Sequence, residues 1–90
     1  MVCYAVLQVW AGEVGPASGG GVAGITNVFM DAFWYLDQLG YLASVGVQRF
    51  ERSTLCGGDY ELLDRATYLP NPDYFAAWLW RQLMGTTALQ

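Results

Sequence analysis

The apolar residues of this 90-residue chain follow two different periods. Residues 5–11 (AVLQVWA) form a short, mostly apolar run that ends at a glycine, which predicts a strand buried on both faces. From residue 26 to about residue 44, apolar positions recur at helical spacing, which predicts an amphipathic helix. Thr26 or Asn27 is expected to cap its start, and its end is expected at Gly46 or, earlier, at Gly40.

The second half of the chain predicts the same order of elements. Residues 47–55 (VQRFERSTL) predict a second strand, which a polar turn region follows. The segment NPDYFAAWLWRQLMG predicts a second helix, with Asn71 as the N-cap, Pro72 in the first helical position and Asp73 complementing the helix dipole. Gly85 is expected to end this helix.

The predicted order of strand, helix, strand and helix indicates a parallel α/β architecture. Two strands do not make a stable sheet by themselves, and two βα units of about 45 residues each correspond to a quarter of an eight-unit barrel of about 250 residues. The chain is 54% apolar and 16% aromatic, which is more apolar surface than a lone domain of this size can hide. We therefore expect a segment of a larger fold.

The charged residues exclude several kinds of function. The net charge is −4 and the four arginines are scattered, whereas nucleic-acid binding requires a basic stripe. Because the chain has no histidine, it has no imidazole base and no histidine metal site. The sequence implies no metal or organic cofactor. No apolar segment reaches about 18 residues, so no membrane span is expected. No basic residue precedes the first apolar run, which argues against a signal peptide. Cys3 and Cys56 form either a disulfide or two buried thiols.

Four motifs carry a family resemblance. In chain order they are W-x-G-E followed by three consecutive glycines, FWYLDQLG, GGDYELLD and PNPDYFAAWLWRQLMG. Together they resemble glycoside hydrolase family 79, the heparanase family, and their sequences are most similar to those of its plant and algal heparanase-like members. The resemblance implies a (β/α)8 barrel with an appended β-sandwich domain, and a retaining hydrolase that cleaves β-linked glucuronic acid. Residues 1–90 then correspond to the seventh strand through the eighth helix, without the first six βα units and the sandwich.

The resemblance also assigns roles to four residues. Glu13, at the expected carboxyl end of the first strand, matches the catalytic nucleophile of the family, which forms a glycosyl-enzyme intermediate. Gly19 and Gly20 match positions whose backbone N–H groups face the carboxylate of the bound uronic acid, and glycines allow such a close approach. Tyr60 matches a tyrosine that donates a hydrogen bond to the same group.

Two positions differ from the family pattern or are ambiguous. Asp59 occupies a position where relatives usually have asparagine. Either its negative charge weakens the binding of an anionic sugar, or its side chain points away from the sugar. Arg52 also matches the family, but a serine follows it where many relatives have glutamine. Arg52 either helps to hold a carboxylate or is an ordinary strand arginine, and the second interpretation is favoured.

The second carboxyl group that retaining hydrolysis needs has no candidate with a motif. The acid/base glutamate of the family follows an asparagine, and this chain has no Asn-Glu pair; Glu51, Glu61 and Asp64 are the nearby carboxylates. We therefore expect a fragment that is inactive alone, acting on a glucuronic-acid-containing glycan only as part of a longer chain. The alternative is a non-catalytic truncated homologue that binds the missing barrel half or itself. By resemblance the protein is expected outside the cell, in lysosomes or vacuoles, or at membranes.

Overall fold

A computed structural model describes residues 7–88 of the chain. The elements, in chain order, are β1 (Trp10–Val14), one turn of 3-10 helix (Ser18–Gly20), α1 (Phe29–Ser44), β2 (Arg49–Arg52) and α2 (Pro72–Leu83). The two strands pair in parallel, with α1 as the crossover between them. The predicted order of elements and the parallel α/β class are therefore confirmed.

The first strand is displaced from its expected position, and the second is shorter than expected. Residues 1–6, which include the start of the predicted run 5–11, lie outside the described residues. The second strand ends at Arg52, not at residue 55. The reason is that the chain beyond it turns to a different partner: the carbonyls of Thr54 and Leu55 accept hydrogen bonds from the N–H groups of Leu62 and Leu63, at 3.0 and 2.8 Å.

A β-bulge interrupts the pairing of the two strands. Ala11 lies opposite Phe50 and Val14 lies opposite Arg52, so β1 uses one residue more than β2 over the same stretch. Such a bulge increases the local twist and redirects the side chains beside it. It lies at the carboxyl end of β1.

Helix α1 begins later than the sequence suggested. It starts at Phe29, and Thr26 and Asn27 do not cap it. Both side chains are used in the preceding turn, where the Thr26 hydroxyl accepts a hydrogen bond from the Val22 N–H and the Asn27 side chain accepts one from the Gly24 N–H. Their oxygens are thereby unavailable to the first turn of the helix.

The other helix ends agree more closely with the prediction. Gly40 does not interrupt α1, which ends at Ser44, two residues before Gly46. Asn71 is the N-cap of α2 and Pro72 is its first residue, as predicted, although the Asn71 side chain donates to the Glu61 carbonyl instead of capping the helix. The C-cap is Met84, not Gly85, which follows it.

The buried core of the described residues is small. Its buried apolar members are Ala32 and Tyr35 of α1 and Ala76 of α2. Several large apolar side chains of the two helices are exposed among residues 7–88: Phe29, Phe33, Phe75, Trp78, Leu79 and Leu83. The radius of gyration is 15.0 Å, whereas a compact chain of this length has about 12 Å. The fold is an open layer with uncovered apolar faces. Neither described helix combines the length and apolarity that crossing a lipid bilayer requires.

Candidate functional site

Glu13 lies in the bulge at the carboxyl end of β1, and its side chain is exposed. Its backbone has φ +57°, in the left-handed region that residues other than glycine rarely adopt. The bulge explains how a glutamate is held there, since the extra residue is the one that leaves the regular strand conformation. Strained backbone of this kind is concentrated at functional sites. The position therefore agrees with the one expected for a nucleophile, and the role itself stays a prediction.

The glycine loop, Gly19 to Gly21, begins five residues after Val14, the last residue of β1, and its backbone conformation requires glycine. Gly19, Gly20 and Gly21 have φ values of +73°, +92° and +93°. A Cβ atom on Gly19 would meet no heavy atom within 4 Å, so this turn of the loop is open on its outer side. Consecutive amides in turn and left-handed conformations can form a concave anion-binding surface, which suits the predicted contact with a carboxylate.

Tyr60 lies against this loop. Its ring fits between two glycines, because a Cβ atom built on Gly15 would be 2.9 Å from Tyr60 Cζ, and one built on Gly21 would be 2.8 Å from Tyr60 Cδ1. Any larger residue at either position would push the ring away. Gly15 and Gly21 were not singled out from the sequence, where they are two members of a glycine-rich stretch with no distinguishing signal.

Hydrogen bonds join the loop after β1 to the loop after β2. The Asp59 N–H donates to the Gly20 carbonyl at 2.6 Å, and the buried Thr26 hydroxyl donates to the Asp59 carbonyl at 2.5 Å. The structure thus brings three of the predicted site residues, Gly19, Gly20 and Tyr60, into one connected unit. Gly15, which contacts the Tyr60 ring, is two residues from Glu13 in the chain.

The Asp59 side chain forms an ion pair. Its carboxylate lies 3.0 Å from the guanidinium of Arg65, which also donates to the Gly58 carbonyl. A cation of the chain thereby partly offsets the Asp59 charge, and the effect of Asp59 on an anionic sugar stays a prediction. The pair is about half exposed, so it adds little to stability.

The three carboxylates considered for the acid/base role are all held by other groups. Glu51 is exposed and pairs with Arg49 at 3.3 Å. Burial acts to raise the pKa of Glu61, but hydrogen bonds from the Arg65 and Gly57 N–H groups and the Arg65 charge together lower it.

Asp64 is held in a similar way. It accepts hydrogen bonds from the Thr67 N–H and hydroxyl and the Ala66 N–H, which lower its pKa. A general acid needs a raised pKa, so neither Glu61 nor Asp64 suits that role.

Arg52 is the residue whose importance the sequence did not reveal. Its side chain is only 4% exposed, and its guanidinium donates to Asp73 Oδ2 at 2.7 Å and to the Tyr60 carbonyl at 2.9 Å. Arg52 is a strand residue, as the favoured interpretation has it, but its guanidinium is buried among carboxylates of the chain. Asp73 lies in the first turn of α2, where its charge complements the helix dipole as predicted, and its carboxylate is also buried in this ion pair.

Asp31 completes this buried cluster. Its carboxyl group lies 3.6 Å from the Arg52 guanidinium and is 6% exposed. Burial and the neighbouring carboxyl group of Asp73 raise the pKa of Asp31 from 3.8 to about 7, against the opposing charge of Arg52. Two carboxyl groups therefore share one cation, and near neutral pH Asp31 is partly protonated.

The described part of the chain contains no group of three or more acidic, histidine or cysteine side chains arranged to hold a metal ion. Cys56 is exposed and free, which differs from the predicted alternatives of a disulfide or a buried thiol for this residue. Its suggested partner, Cys3, lies outside the described residues.

Comparisons with known proteins agree on one family. The family model described as "Glycosyl hydrolase family 79, N-terminal domain" matches residues 3–40. Baicalin-beta-D-glucuronidase of Scutellaria baicalensis is 51% identical over 81 residues, and heparanase-like protein 1 of Arabidopsis thaliana is 48% identical over 80 residues. Heparanase of Gallus gallus is 40% identical over 84 residues.

These matches cover 90%, 89% and 92% of this chain, in the same order. The chain spans only 15 to 16% of the length of the three relatives.

Proposed function

The chain belongs to glycoside hydrolase family 79, and we propose that it supplies the nucleophile and the uronate-binding loops of a retaining hydrolase acting on β-linked glucuronic acid. The names of the relatives, a glucuronidase and heparanases, support this substrate class. The observation that carries the proposal is the position of Glu13, held in a left-handed bulge beside a glycine loop that packs against Tyr60.

We further propose that the chain forms the seventh strand through the eighth helix of a (β/α)8 barrel. The parallel β1–α1–β2 crossover supports this placement, since barrels of this type repeat that unit. The apolar side chains left exposed on both helices also support it, because they require covering by other parts of a fold. In this proposal, the first six βα units and a β-sandwich domain complete the protein, which functions outside the cell, in lysosomes or vacuoles, or at a membrane.

In the proposed reaction the Glu13 carboxylate attacks the anomeric carbon and forms a covalent glycosyl-enzyme intermediate, which water then hydrolyses. The amides of Gly19 and Gly20 and the Tyr60 hydroxyl hold the carboxylate of the sugar and so orient the anomeric carbon toward Glu13. A tyrosine suits this role because it donates a hydrogen bond without adding a negative charge beside the nucleophile.

A second carboxyl group must protonate the leaving oxygen from about 5 Å away. The described residues do not supply it. The pKa values of Glu61 and Asp64 are lowered, and Asp31, whose pKa is raised to about 7, is too deeply buried to reach a glycosidic oxygen. We therefore propose that the acid/base glutamate comes from the missing part of the barrel and that the 90-residue chain alone does not hydrolyse glycosides.

Covalent trapping tests the proposal. The longest natural chain that carries this segment is incubated with 2-deoxy-2-fluoro-β-D-glucuronyl fluoride, which glycosylates a retaining nucleophile with loss of fluoride and forms an intermediate that is hydrolysed slowly. We expect one label on the peptide that contains Glu13, and loss of both label and glucuronidase activity in Glu13→Gln. The matched control is Glu51→Gln, which changes an exposed glutamate on the neighbouring strand. A label on another carboxylate, or normal turnover by Glu13→Gln, would refute the assignment.

The second candidate is a non-catalytic association module. The exposed apolar faces of α1 and α2 favour it, because a free chain with such surfaces associates. If it is correct, the 90-residue chain sediments as a complex that dissociates on dilution, and it binds a hydrophobic dye when dissociated. A stable monomer that binds no dye would contradict this alternative.

A further inference from the structure

The buried guanidinium of Arg52 lies directly beside Tyr60. It donates to the Tyr60 carbonyl at 2.9 Å, and its Cζ atom is 5.2 Å from the centre of the Tyr60 ring. The rings of Tyr35 and Trp34 face the same guanidinium at 5.2 and 5.7 Å. Arg52 therefore contacts both the backbone and the side chain of Tyr60, a residue that the proposed function gives to the substrate.

Two helices hold this arginine in place. Asp73, in the first turn of α2, binds it at 2.7 Å, and Asp31, in the first turn of α1, lies 3.6 Å away. The two contacts are unequal: Asp31 Oδ2 has no hydrogen-bond partner among the described residues, whereas Asp73 makes a direct charge-assisted bond. Asp73 is thus the main anchor of Arg52, and Asp31 is a weaker one.

The contacts of Arg52 depend on the shape of its side chain. One terminal nitrogen donates to both Asp73 and the Tyr60 carbonyl, and the other donates to the Ser53 carbonyl. The planar fork of a guanidinium can serve acceptors in several directions at once, whereas an ammonium group is a point charge on a flexible stem. A lysine would keep the charge but lose part of this arrangement.

The Tyr60 ring has no room to compensate for a shift of Arg52. Gly15 and Gly21 enclose it so closely that a single added methyl group on either would clash. A displacement of the Tyr60 backbone therefore moves the phenol group relative to the glycine loop. The distance between the Tyr60 phenol and the glycine loop decides whether the phenol and the loop amides can bind the same carboxylate.

We propose that Arg52 is a positioning residue, which fixes the Tyr60 phenol against the glycine loop and so sets the affinity of the site for a uronate. This inference rests on the proposed function for its ligand, while the contact between Arg52 and Tyr60 is independent of it. The anchor of the arrangement is Asp73.

Two variants of the full chain test the proposal. Their tyrosines are labelled with ¹³C at Cζ, and the NMR signal of each tyrosine is recorded. Arg52→Lys keeps the charge and removes the fork, and Arg49→Lys is the matched control, since Arg49 is an exposed arginine on the same strand. The Tyr60 signal is assigned by its loss in Tyr60→Phe. Binding of D-glucuronate is measured alongside, with methyl β-D-glucoside as the uncharged ligand control.

We expect Arg52→Lys to shift the Tyr60 signal, to leave the other tyrosine signals outside the cluster in place, and to weaken D-glucuronate binding about tenfold. Arg49→Lys is expected to change neither the Tyr60 signal nor the binding of D-glucuronate. A folded Arg52→Lys chain with an unchanged Tyr60 signal would overturn the proposal. If the wild-type chain binds no D-glucuronate, the proposed function fails in this chain, and the Tyr60 signal still decides whether Arg52 positions Tyr60.

If Arg52→Lys does not fold, Asp73→Asn takes its place, because it weakens the anchor and leaves the guanidinium present. A shift confined to Tyr60 and its neighbours supports the positioning role. Loss of the fold in this variant as well shows that the cluster is purely structural and overturns the proposal.

Discussion

Replacing Asp31 with asparagine is expected to make the stability of the chain much less sensitive to pH. Asp31 has a pKa of about 7 in the folded chain, mainly because it is buried, with a further contribution from the carboxyl group of Asp73. In the unfolded chain its pKa returns to the ordinary value of 3.8. The charged and titratable groups that face it are Arg52 from β2 and Asp73 from α2, and Tyr35 of its own helix contacts the same guanidinium.

The direction of the effect follows from proton binding. Because the folded chain binds the Asp31 proton more tightly, the free energy of unfolding falls as the pH rises from about 4 to about 7, and the loss is complete above that. The difference between 3.8 and about 7 corresponds to a loss of about 4 kcal/mol. Glu61 and Asp64 act in the opposite sense, since their lowered pKa values give stability that is lost as the pH falls below about 4.

Urea unfolding followed by tryptophan fluorescence, repeated from about pH 3 to about pH 8, measures this dependence. The wild-type chain is expected to be most stable between about pH 4 and 5, and Asp31→Asn is expected to lose only the decline toward higher pH. Asp37→Asn is the control, because Asp37 is an exposed aspartate of the same helix. A wild-type chain without the decline, or a decline that persists in Asp31→Asn, would refute the reasoning.

Three further substitutions test the site. Gly15→Ala is expected to weaken D-glucuronate binding about tenfold, since its Cβ would clash with the Tyr60 ring. Gly40→Ala is the control: its Cβ would make an ordinary 3.8 Å contact with Trp80, and the substitution should raise the free energy of unfolding by about 0.5–1 kcal/mol. Glu13→Asn should be about 1 kcal/mol more stable in urea unfolding than Glu13→Gln, because asparagine tolerates the left-handed backbone; equal stabilities would show that the backbone is unstrained. Thr26→Val should cost about 1–3 kcal/mol by the same method, since the buried hydroxyl both donates and accepts; a loss below about 0.5 kcal/mol would contradict this.

The parts of the molecule that depend on neighbours in the sequence were predictable. Helical spacing located α1 to within three residues at its start, and the Asn71–Pro72 pair located the start of α2. The position of Glu13 after an apolar run indicated the end of a strand. In each case a local pattern sets the local structure, so a single segment carries the information.

The buried cluster was not predictable for the opposite reason. Arg52 and its main partner Asp73 are 21 residues apart in the chain, and nothing in the local sequence of either distinguishes it from an exposed residue. Thr26 was misassigned for a related reason: its hydroxyl satisfies a loop 33 residues away and not the adjacent helix. The pairing of β1 with β2 brings the loops of Thr26 and Asp59 together, and the first turn of α2 brings Asp73 to Arg52 at the end of β2.

The connection between the two loops has a consequence for folding. Thr26 and Asp59, which tie the loops together, are separated by 33 residues, and closing so long a segment costs entropy before any contact forms. Non-local contacts of this kind form late, so a chain still emerging during synthesis has Glu13 and the glycine loop well before it has the proposed uronate site. Amide exchange at Asp59, whose N–H donates to Gly20, would time that step: its protection should appear only after β1 and β2 have paired.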